Sequence, residues 1–274
     1  MPYNAELAEI ALTIARRAAQ LAWQRRTEGV EVAASKSSLS DIVTRADREA
    51  ETLIRDAISA ARPNDGFLGE ESGEGSGTSG LTWVVDPIDG TVNYFYGIPA
   101  YAVSIAVVEG EPDPRTWRTL AGAVVNPAAG EAFTAFEGGG AKLNGKPLHV
   151  KQDTDLALAL VGTGFGYDAG NRVRQAKIVT ELIGRVRDVR RIGAASLDLC
   201  GVAAGRLDAY FERGLNPWDH AAGALIAREA GASVGGLGGA PATNELIVAA
   251  EPGLFAQLNP VLQELYADWP LSNL

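Results

Sequence analysis

Trp83-Val84-Val85-Asp86-Pro87-Ile88-Asp89-Gly90-Thr91-Val92-Asn93-Tyr94-Phe95 is the stretch on which the reading of this chain turns. It opens apolar, Trp83 to Val85, as a buried strand does. Two acids follow, spaced by Pro87 and Ile88, and then Gly90 and Thr91. Pro87 has no backbone N–H and a fixed φ, so the strand is expected to stop and turn there. Both carboxylates then emerge at the end of a buried strand. Gly90 lets the backbone approach a ligand with no Cβ in the way. Thr91 adds a hydroxyl able to orient a water. Two readings stand at this point. In one, Asp86 and Asp89 close an Asx-turn on their own backbone. In the other, two acids, bare backbone and a hydroxyl hold a hard cation and the phosphate it carries.

Outward from this stretch toward the N-terminus, Leu7, Ile10, Ala11, Ile14, Ala18, Leu21 and Ala22 share one helical face, predicting a helix over Asn4 to Arg26 that Gly29 ends. Val30 to Ala34 reads as a short strand, and Ser35-Lys36-Ser37-Ser38 as a mobile loop. Thr44 and Asp47 have the spacing of a capping box, which places Asp47 in the first turn of a second helix before Pro63. A cap alone would account for Asp47, although a helix end is also where a carboxylate can face a cleft. Phe67 to Ser72 is a short apolar run ending in Glu70 and Glu71. Gly73 to Gly80 has no apolar residue and reads as a flexible connection.

Toward the C-terminus, Tyr101–Val108, Leu120–Val125 and Glu131–Phe136 read as strands, and Asn144-Gly145 as a hairpin turn. The second half alternates. Strands are expected at Leu156–Thr163, Val189–Ile192, Leu207–Phe211 and Glu245–Ala250. Helices are expected at Asn171–Arg187, from Gly193 through Leu199 and Val202 to Gly205, at Pro217–Glu229 and at Gly253–Tyr266, with Gly231–Gly239 as loop. No repeat appears. The class is therefore α/β (α+β), with a half over 1–150 carrying most candidate ligands and an α/β half over 151–274, together one compact unit.

Composition bounds the partners. Among 274 residues, 34 acids oppose 24 bases, a net charge of −10, which argues against a nucleic-acid backbone as the main partner. No apolar run approaches the ~20 residues of a membrane span, and the first ten residues lack a signal-peptide pattern. The single Cys200 reads as a small buried hydrophobe and fits a reducing, cytoplasmic setting. Asp47, Glu70, Asp86, Asp89 and Asp219 all fall at the ends of predicted elements. Should four converge, each pair at 4 Å repels by ~4 kcal/mol at an effective dielectric of 20. Divalent cations are the simplest remedy, and an all-oxygen donor set suits Mg²⁺ or Mn²⁺ and not zinc. His149 reads as a surface residue. His220, next to Asp219 on a helix, points to another face.

At these residues the chain resembles a known family. Glu70-Glu71-Ser72, the DPIDGT run from Asp86 to Thr91, and Pro217-Trp218-Asp219-His220-Ala221-Ala222-Gly223 are similar, in order and spacing, to the three motifs of the inositol monophosphatase family, a lithium-sensitive phosphatase superfamily. The likeness extends from Lys36 to Glu229 at least. It implies a layered α-β-α-β-α sandwich, a homodimer, and two or three Mg²⁺ ions per site. By that resemblance Glu70, Asp86 and the Ile88 carbonyl bind one ion, and Asp86, Asp89 and Asp219 a second. Glu70 supports a weaker third. Thr91, paired with Asp47, orients the attacking water, with Glu70 also available to the proton. The N–H groups of Gly90 and Thr91 hold the phosphate. Asp89, Asp219, Glu212 and the segment Gly193-Ala194-Ala195 face the rest of the substrate. Lys36 matches a lysine on the family's mobile loop.

Three positions depart from the family's pattern: Tyr94 where Phe is common, Pro217 in the bacterial manner, and Ala194 where a hydroxyl is frequent. The implied reaction is hydrolysis of inositol 1-phosphate by metal-activated water. The same scaffold also serves histidinol phosphate, fructose 1,6-bisphosphate and 3′-phosphoadenosine 5′-phosphate. A bisphosphate would want two bases across the cleft; Arg190, Arg191 and Arg213 are the candidates, although they read more readily as surface or interface residues. A regulatory protein without turnover is the rival of another class, and five intact acids and hydroxyls argue against it.

Overall fold

Along the central strand Trp83 and Val85 pack to one side and Val84 to the other, so both faces of its sheet are buried. The structure is a computed structural model that describes residues 2–30, 32–35 and 42–269. Helix α1 (Pro2–Glu28) is followed by two short antiparallel strands, β1 (Val32–Ser35) and β2 (Ile42–Thr44), and by α2 (Arg45–Ala61). Next come β3 (Gly66–Gly69), β4 (Gly73–Gly75), β5 (Leu81–Asp89) and the short helix α3 (Thr91–Tyr96). β6 (Ala102–Glu109), β7 (Arg118–Asn126), β8 (Glu131–Phe136), β9 (Ala141–Leu143) and β10 (Lys146–Pro147) complete an eight-stranded sheet, ordered β10-β9-β8-β7-β6-β5-β3-β4. β3 and β5 run parallel in it and the other neighbours antiparallel.

The rest of the chain builds a second sheet. β11 (Leu160–Thr163), α4 (Ala169–Leu182), β12 (Asp188–Arg190), α5 (Ala195–Ala203) and β13 (Ala209–Glu212) come first. α6 (Pro217–Glu229), β14 (Ser233–Gly235), β15 (Ile247–Ala250) and α7 (Pro252–Leu265) follow. The strand order is β12-β11-β13-β15-β14, parallel across β12, β11 and β13 and antiparallel beyond.

Three of the four apolar cores among the described residues stack these elements. α1 and α2 cover one face of the large sheet, Leu7, Ile14 and Ile54 meeting Trp83, Val85 and Ile105. α5 and α6 lie between the sheets, where Leu199 and Ile226 meet Val84, Val124 and Phe133 from one side and Tyr210 and Ile247 from the other. α4 and α7 close the far face through Ile178, Leu182, Leu254 and Leu258 on Val161, Phe211 and Val248. The layers run α-β-α-β-α, as the resemblance implied.

Small residues set how closely α6 seats. A Cβ on Gly122 of β7 would lie 3.1 Å from the Ala222 Cα, and one on Gly223 would lie 2.9 Å from the Leu199 side chain of α5. The Ala221-Ala222-Gly223 run is therefore a packing device. It lets α6 lie against sheet and helix at once, with Asp219 at its first turn brought to the end of β5.

Several sequence expectations change. Gly75 of the tract expected to be a flexible connection pairs with Phe67, so Gly73–Gly75 is an edge strand; backbone pairing needs no apolar side chain. Leu156–Leu158 is a 3₁₀ turn capped by Asp155, and the strand starts only at Leu160. α4 begins at Ala169 because the Asp168 carboxylate accepts the Asn171 N–H at 2.8 Å, and it stops before Gly184, well short of Arg187. The expected loop Gly231–Gly239 holds β14, which pairs with β15, and a 3₁₀ turn. α3 had no sequence prediction. The Thr44–Asp47 box, the Asn144-Gly145 turn and α6 stand where the sequence put them.

Candidate active site

The central turn is a bulge, and the strand does not end at Pro87. Asp86 lies opposite Ser104 and Asp89 opposite Ala102, so β5 advances three residues against two on β6. Pro87 falls in the bulge, where no ladder N–H is required of it. The Ile88 N–H donates to Asp86 Oδ1 at 3.0 Å, so the Asx-turn reading holds for Asp86. It does not hold for Asp89, whose Oδ2 accepts the Ser196 N–H at 2.8 Å and the Ser196 hydroxyl at 2.5 Å, across on α5. Gly90 follows at φ +86°, with Ala100 O only 2.9 Å and the Ala194 Cβ 3.1 Å from where a Cβ would stand. Any other residue there would clash and be strained.

Glu70, Asp86, Ile88, Asp89, Gly90, Thr91, Gly193, Ala194, Ala195, Glu212 and Asp219 all line one cleft of about 220 Å³. Parallel pairing of β3 with β5, continued by the Glu70 N–H donating to Val85 O at 3.2 Å, carries Glu70 to the side of Asp86. Asp219 is held at the start of α6, its Oδ2 accepting the Asn216 N–H at 2.6 Å. Asp47 stands behind this wall, almost fully buried. Its Oδ2 accepts the Thr44 N–H at 2.7 Å and the Thr44 hydroxyl at 2.5 Å. Its Oδ1 lies 3.3 Å from the Thr91 hydroxyl, which also lies 3.0 Å from the Ile88 carbonyl. The cap and the contact to Thr91 thus use different oxygens of one carboxylate. Lys36 falls outside the described residues.

The electrostatics of the cleft bear on what it could hold. Burial pushes the Asp86 carboxyl well above its ordinary range, and Glu70, Asp89 and Asp219 push it further. Burial also raises Asp219, with Glu70 and Asp89 adding to it. Burial lifts Asp89 to about 6 against the opposing pull of the Ser196 and Ala195 donors. Burial lifts Asp47 to about 7, the Thr44 hydroxyl and N–H opposing and Glu70 adding. These acids are like charges in one partly dry cleft, and all their donor atoms are oxygen. Such a set fits hard divalent cations, which would neutralise the repulsion and return the acids to their ionised form. Among the described residues no three such side chains are already closed to metal-binding distance.

The far wall sets Glu212, which the resemblance had placed toward the substrate, beside Tyr210 and Gly164, which the sequence did not flag. Glu212 accepts the Tyr210 hydroxyl at 2.6 Å. Burial raises its carboxyl to about 7, while Tyr210 and Arg191 pull it down. Gly164 faces it with no room for a Cβ. Arg191, read from sequence as a surface or interface residue, lines the cleft. Arg190 is on the surface, paired with Asp188 at 2.6 Å. Arg213 is neither surface nor cleft: mostly buried, it bonds Glu245 at 3.1 Å and lies over the Trp269 ring. His149 is exposed, and His220 is buried beside Trp117, away from the acids. Cys200 is buried. Ser196 was missed because its partner, Asp89, is far away in sequence, whereas Tyr210 lies two positions from Glu212 on β13 and read only as part of an apolar strand. The one local signal was the position of Ser196 in the first turn of a helix opened by Gly193.

The layered fold is that of a group of bacterial solved structures. The structure of SuhB from Mycobacterium tuberculosis is 45% identical, with a TM-score of 0.80 over 95% of this chain and 97% of its own. The extragenic suppressor protein SuhB of Bartonella henselae is 34% identical, with a TM-score of 0.85 over 94% and 99%. The sequence model of the inositol monophosphatase family matches residues 3–267, and the chain belongs to that family. The curated M. tuberculosis relative, inositol-1-monophosphatase SuhB, is 45% identical over 94% of this chain and 90% of its own. A relative with a different name, the Nus factor SuhB of Escherichia coli, is 42% identical over 82% and 83%.

Proposed function

We propose that the chain is a Mg²⁺-dependent phosphomonoesterase whose first substrate is inositol 1-phosphate. One observation carries the reading: Glu70, Asp86, Asp89 and Asp219 share a cleft with a Thr91 hydroxyl that is backed by Asp47. When bound, Mg²⁺ or Mn²⁺ (two or three ions, by the family resemblance) would supply charge for the phosphoryl oxygens and a water acidic enough to attack. Glu70, Asp86, the Ile88 carbonyl, Asp89 and Asp219 would hold the ions. Thr91 positions the water and passes its proton on to Asp47, whose Oδ1 lies 3.3 Å from the Thr91 hydroxyl. Gly90 and Thr91 turn their N–H groups to the phosphate. Glu212, fixed by Tyr210, and the Gly193–Ala195 backbone take the hydroxyls of the alcohol.

Arg191 supplies one cation to the far wall, and Arg190 and Arg213 are committed elsewhere. That favours a monophosphate over a bisphosphate. The halves 1–150 and 151–274 act as one unit, since the core between the sheets draws on both. A homodimer in the cytoplasm completes the reading; exposed Tyr96, Ile98 and Ile192 offer apolar surface for the pairing, and no helix among the described residues is long and apolar enough to cross a membrane. The E. coli relative's name, Nus factor, supports a regulatory role beside turnover as the second reading.

The test is a side-by-side assay of inositol 1-phosphate, histidinol phosphate, fructose 1,6-bisphosphate and 3′-phosphoadenosine 5′-phosphate, with Mg²⁺ and with excess chelator. Inositol 1-phosphate should have the highest kcat/KM, and chelation should abolish turnover reversibly. Full activity in chelator would overturn the metal reading, a better ester would replace the substrate, and no turnover of any would favour the regulatory reading.

A further inference from the structure

Helix α5 begins without a cap of its own. Its N-cap residue is Ala194, which has no side-chain acceptor for the first N–H groups. The acceptor comes instead from the other sheet. The Asp89 carboxylate at the end of β5 meets the start of α5, and both the N–H and the hydroxyl of Ser196 donate to its Oδ2, at 2.8 and 2.5 Å. The Ala195 N–H also bonds that carboxylate. Ser196 itself is fully buried, and in the structure its hydroxyl bonds Asp89. A serine in the first turn of a helix usually meets water or its own backbone. This one is spent across the interface between the two halves, on a side chain that lines the cleft.

We propose that Ser196 is a positioning residue for the cation site: by occupying Asp89 Oδ2 with two donors it fixes the carboxylate for metal binding and so sets divalent-cation affinity. This rests on the reading of Asp89 as a metal ligand. Two physical effects act together. Two donors on one oxygen lock the rotation of the carboxylate, so little side-chain freedom is left to lose when an ion arrives. Burial of the hydroxyl excludes water from competing for the same oxygen. Outer partners of metal-binding carboxylates typically govern affinity by ~10–100-fold. Ser196→Ala deletes one of the two Ser196 donors and leaves the backbone N–H.

The experiment titrates Mn²⁺ into the full chain and follows the free ion by electron paramagnetic resonance, with thermal melts of the metal-free protein alongside. Wild type, Ser196→Ala, Ser196→Thr and Asp86→Asn are compared. Wild type should bind Mn²⁺, and Asp86→Asn should abolish or cripple that binding. Ser196→Ala should raise Kd by ~10–100-fold, and Ser196→Thr, which keeps the hydroxyl, should stay within about threefold of wild type. A wild-type Kd in Ser196→Ala, whatever its melting temperature, overturns the positioning role. So does a Kd raised as far in Ser196→Thr as in Ser196→Ala, because crowding of the pocket would then be the cause. If wild type itself binds no Mn²⁺, or Asp86→Asn binds it unchanged, the metal reading of the cleft fails before the question of Ser196 arises. Should Ser196→Ala not fold, the Ser196→Thr Kd alone decides, a tenfold loss there counting against the proposal.

Discussion

Asp47→Asn separates a cap from a base, because the structure gives the two oxygens of Asp47 different work. Oδ2 takes the Thr44 donors and Oδ1 faces the Thr91 hydroxyl. Asn keeps an acceptor for the Thr44 N–H and puts an amide toward Thr91, so the cap survives and the base does not. Burial holds the carboxyl at about 7 against an ordinary 3.8. The difference, about three units, corresponds to roughly 4 kcal/mol against the ionised form at high pH. The sign follows from proton counting. Between about pH 4 and 7 the unfolded chain has released this proton and the folded chain still holds it, so the Asp47 contribution to stability falls as pH rises. Asn has no charge to bury. Metal-free Asp47→Asn should therefore melt no lower than wild type at pH 8, and its advantage should shrink toward pH 4. Its kcat should fall by ~10²–10⁴, the usual loss of a general base. Thr44→Ala is the control: it should cost ~1 kcal/mol of stability and leave kcat within about threefold. Turnover by Asp47→Asn near the wild-type rate, in saturating Mg²⁺, would refute the argument and reduce Asp47 to a cap.

Other outcomes follow from the same geometry. Glu212→Gln removes a charged acceptor from the alcohol side, so KM should rise by ~10–150-fold with kcat little changed, as loss of a charge-assisted hydrogen bond of ~1.5–3 kcal/mol in uniform binding requires; a fall in kcat at constant KM would move Glu212 into the chemistry. Asp208 is buried and accepts from Leu160 N–H at 2.8 Å, Lys151 at 2.9 Å and Thr154 at 3.2 Å. Burial pushes it up, but these donors outweigh burial and hold it below 3.8. Its contribution is present above the ordinary carboxyl pKa and is lost as pH falls through the depressed one. Asp208→Asn should lower urea stability by ~1.5–3 kcal/mol at pH 7, and the gap to wild type should close below about pH 4; an equal gap at both ends would refute the charge argument. Gly122→Val forces α6 off β7, so melting temperature should drop by several degrees, an overpacking cost of ~1–3 kcal/mol, and an unchanged melt would show that α6 has slack.

Much of this was legible in the sequence where the cause is local. The periodicity of the first two helices, the Thr44–Asp47 box, the Asn144-Gly145 turn and the Pro217 helix start each depend on residues within a few positions of one another, and each stands. The failures share the opposite cause. Gly73–Gly75 is a strand because of what Phe67 offers it, and Arg191 lines the cleft because of where β12 ends, neither of which local composition records. The choice between Asx-turn and ligand cluster was open in the sequence because the two are compatible. Asp86 spends one oxygen on the Ile88 N–H and still lines the cleft.

Asp89 shows why the site could not be read from its motif alone. The motif says that two acids leave a strand together, and the structure sends them to different partners. Asp86 stays with its own turn, whereas Asp89 crosses to cap a helix of the second sheet. The cap on α5 and the candidate ligand are thus the same carboxylate, so seating α5 and shaping the cleft are one event. Through Asp89 the start of α5, with Gly193, Ala194 and Ala195 facing the cleft, is tied to the end of β5. A change at Ser196, remote in sequence from every motif acid in the first half, therefore acts on the cleft through a single shared side chain.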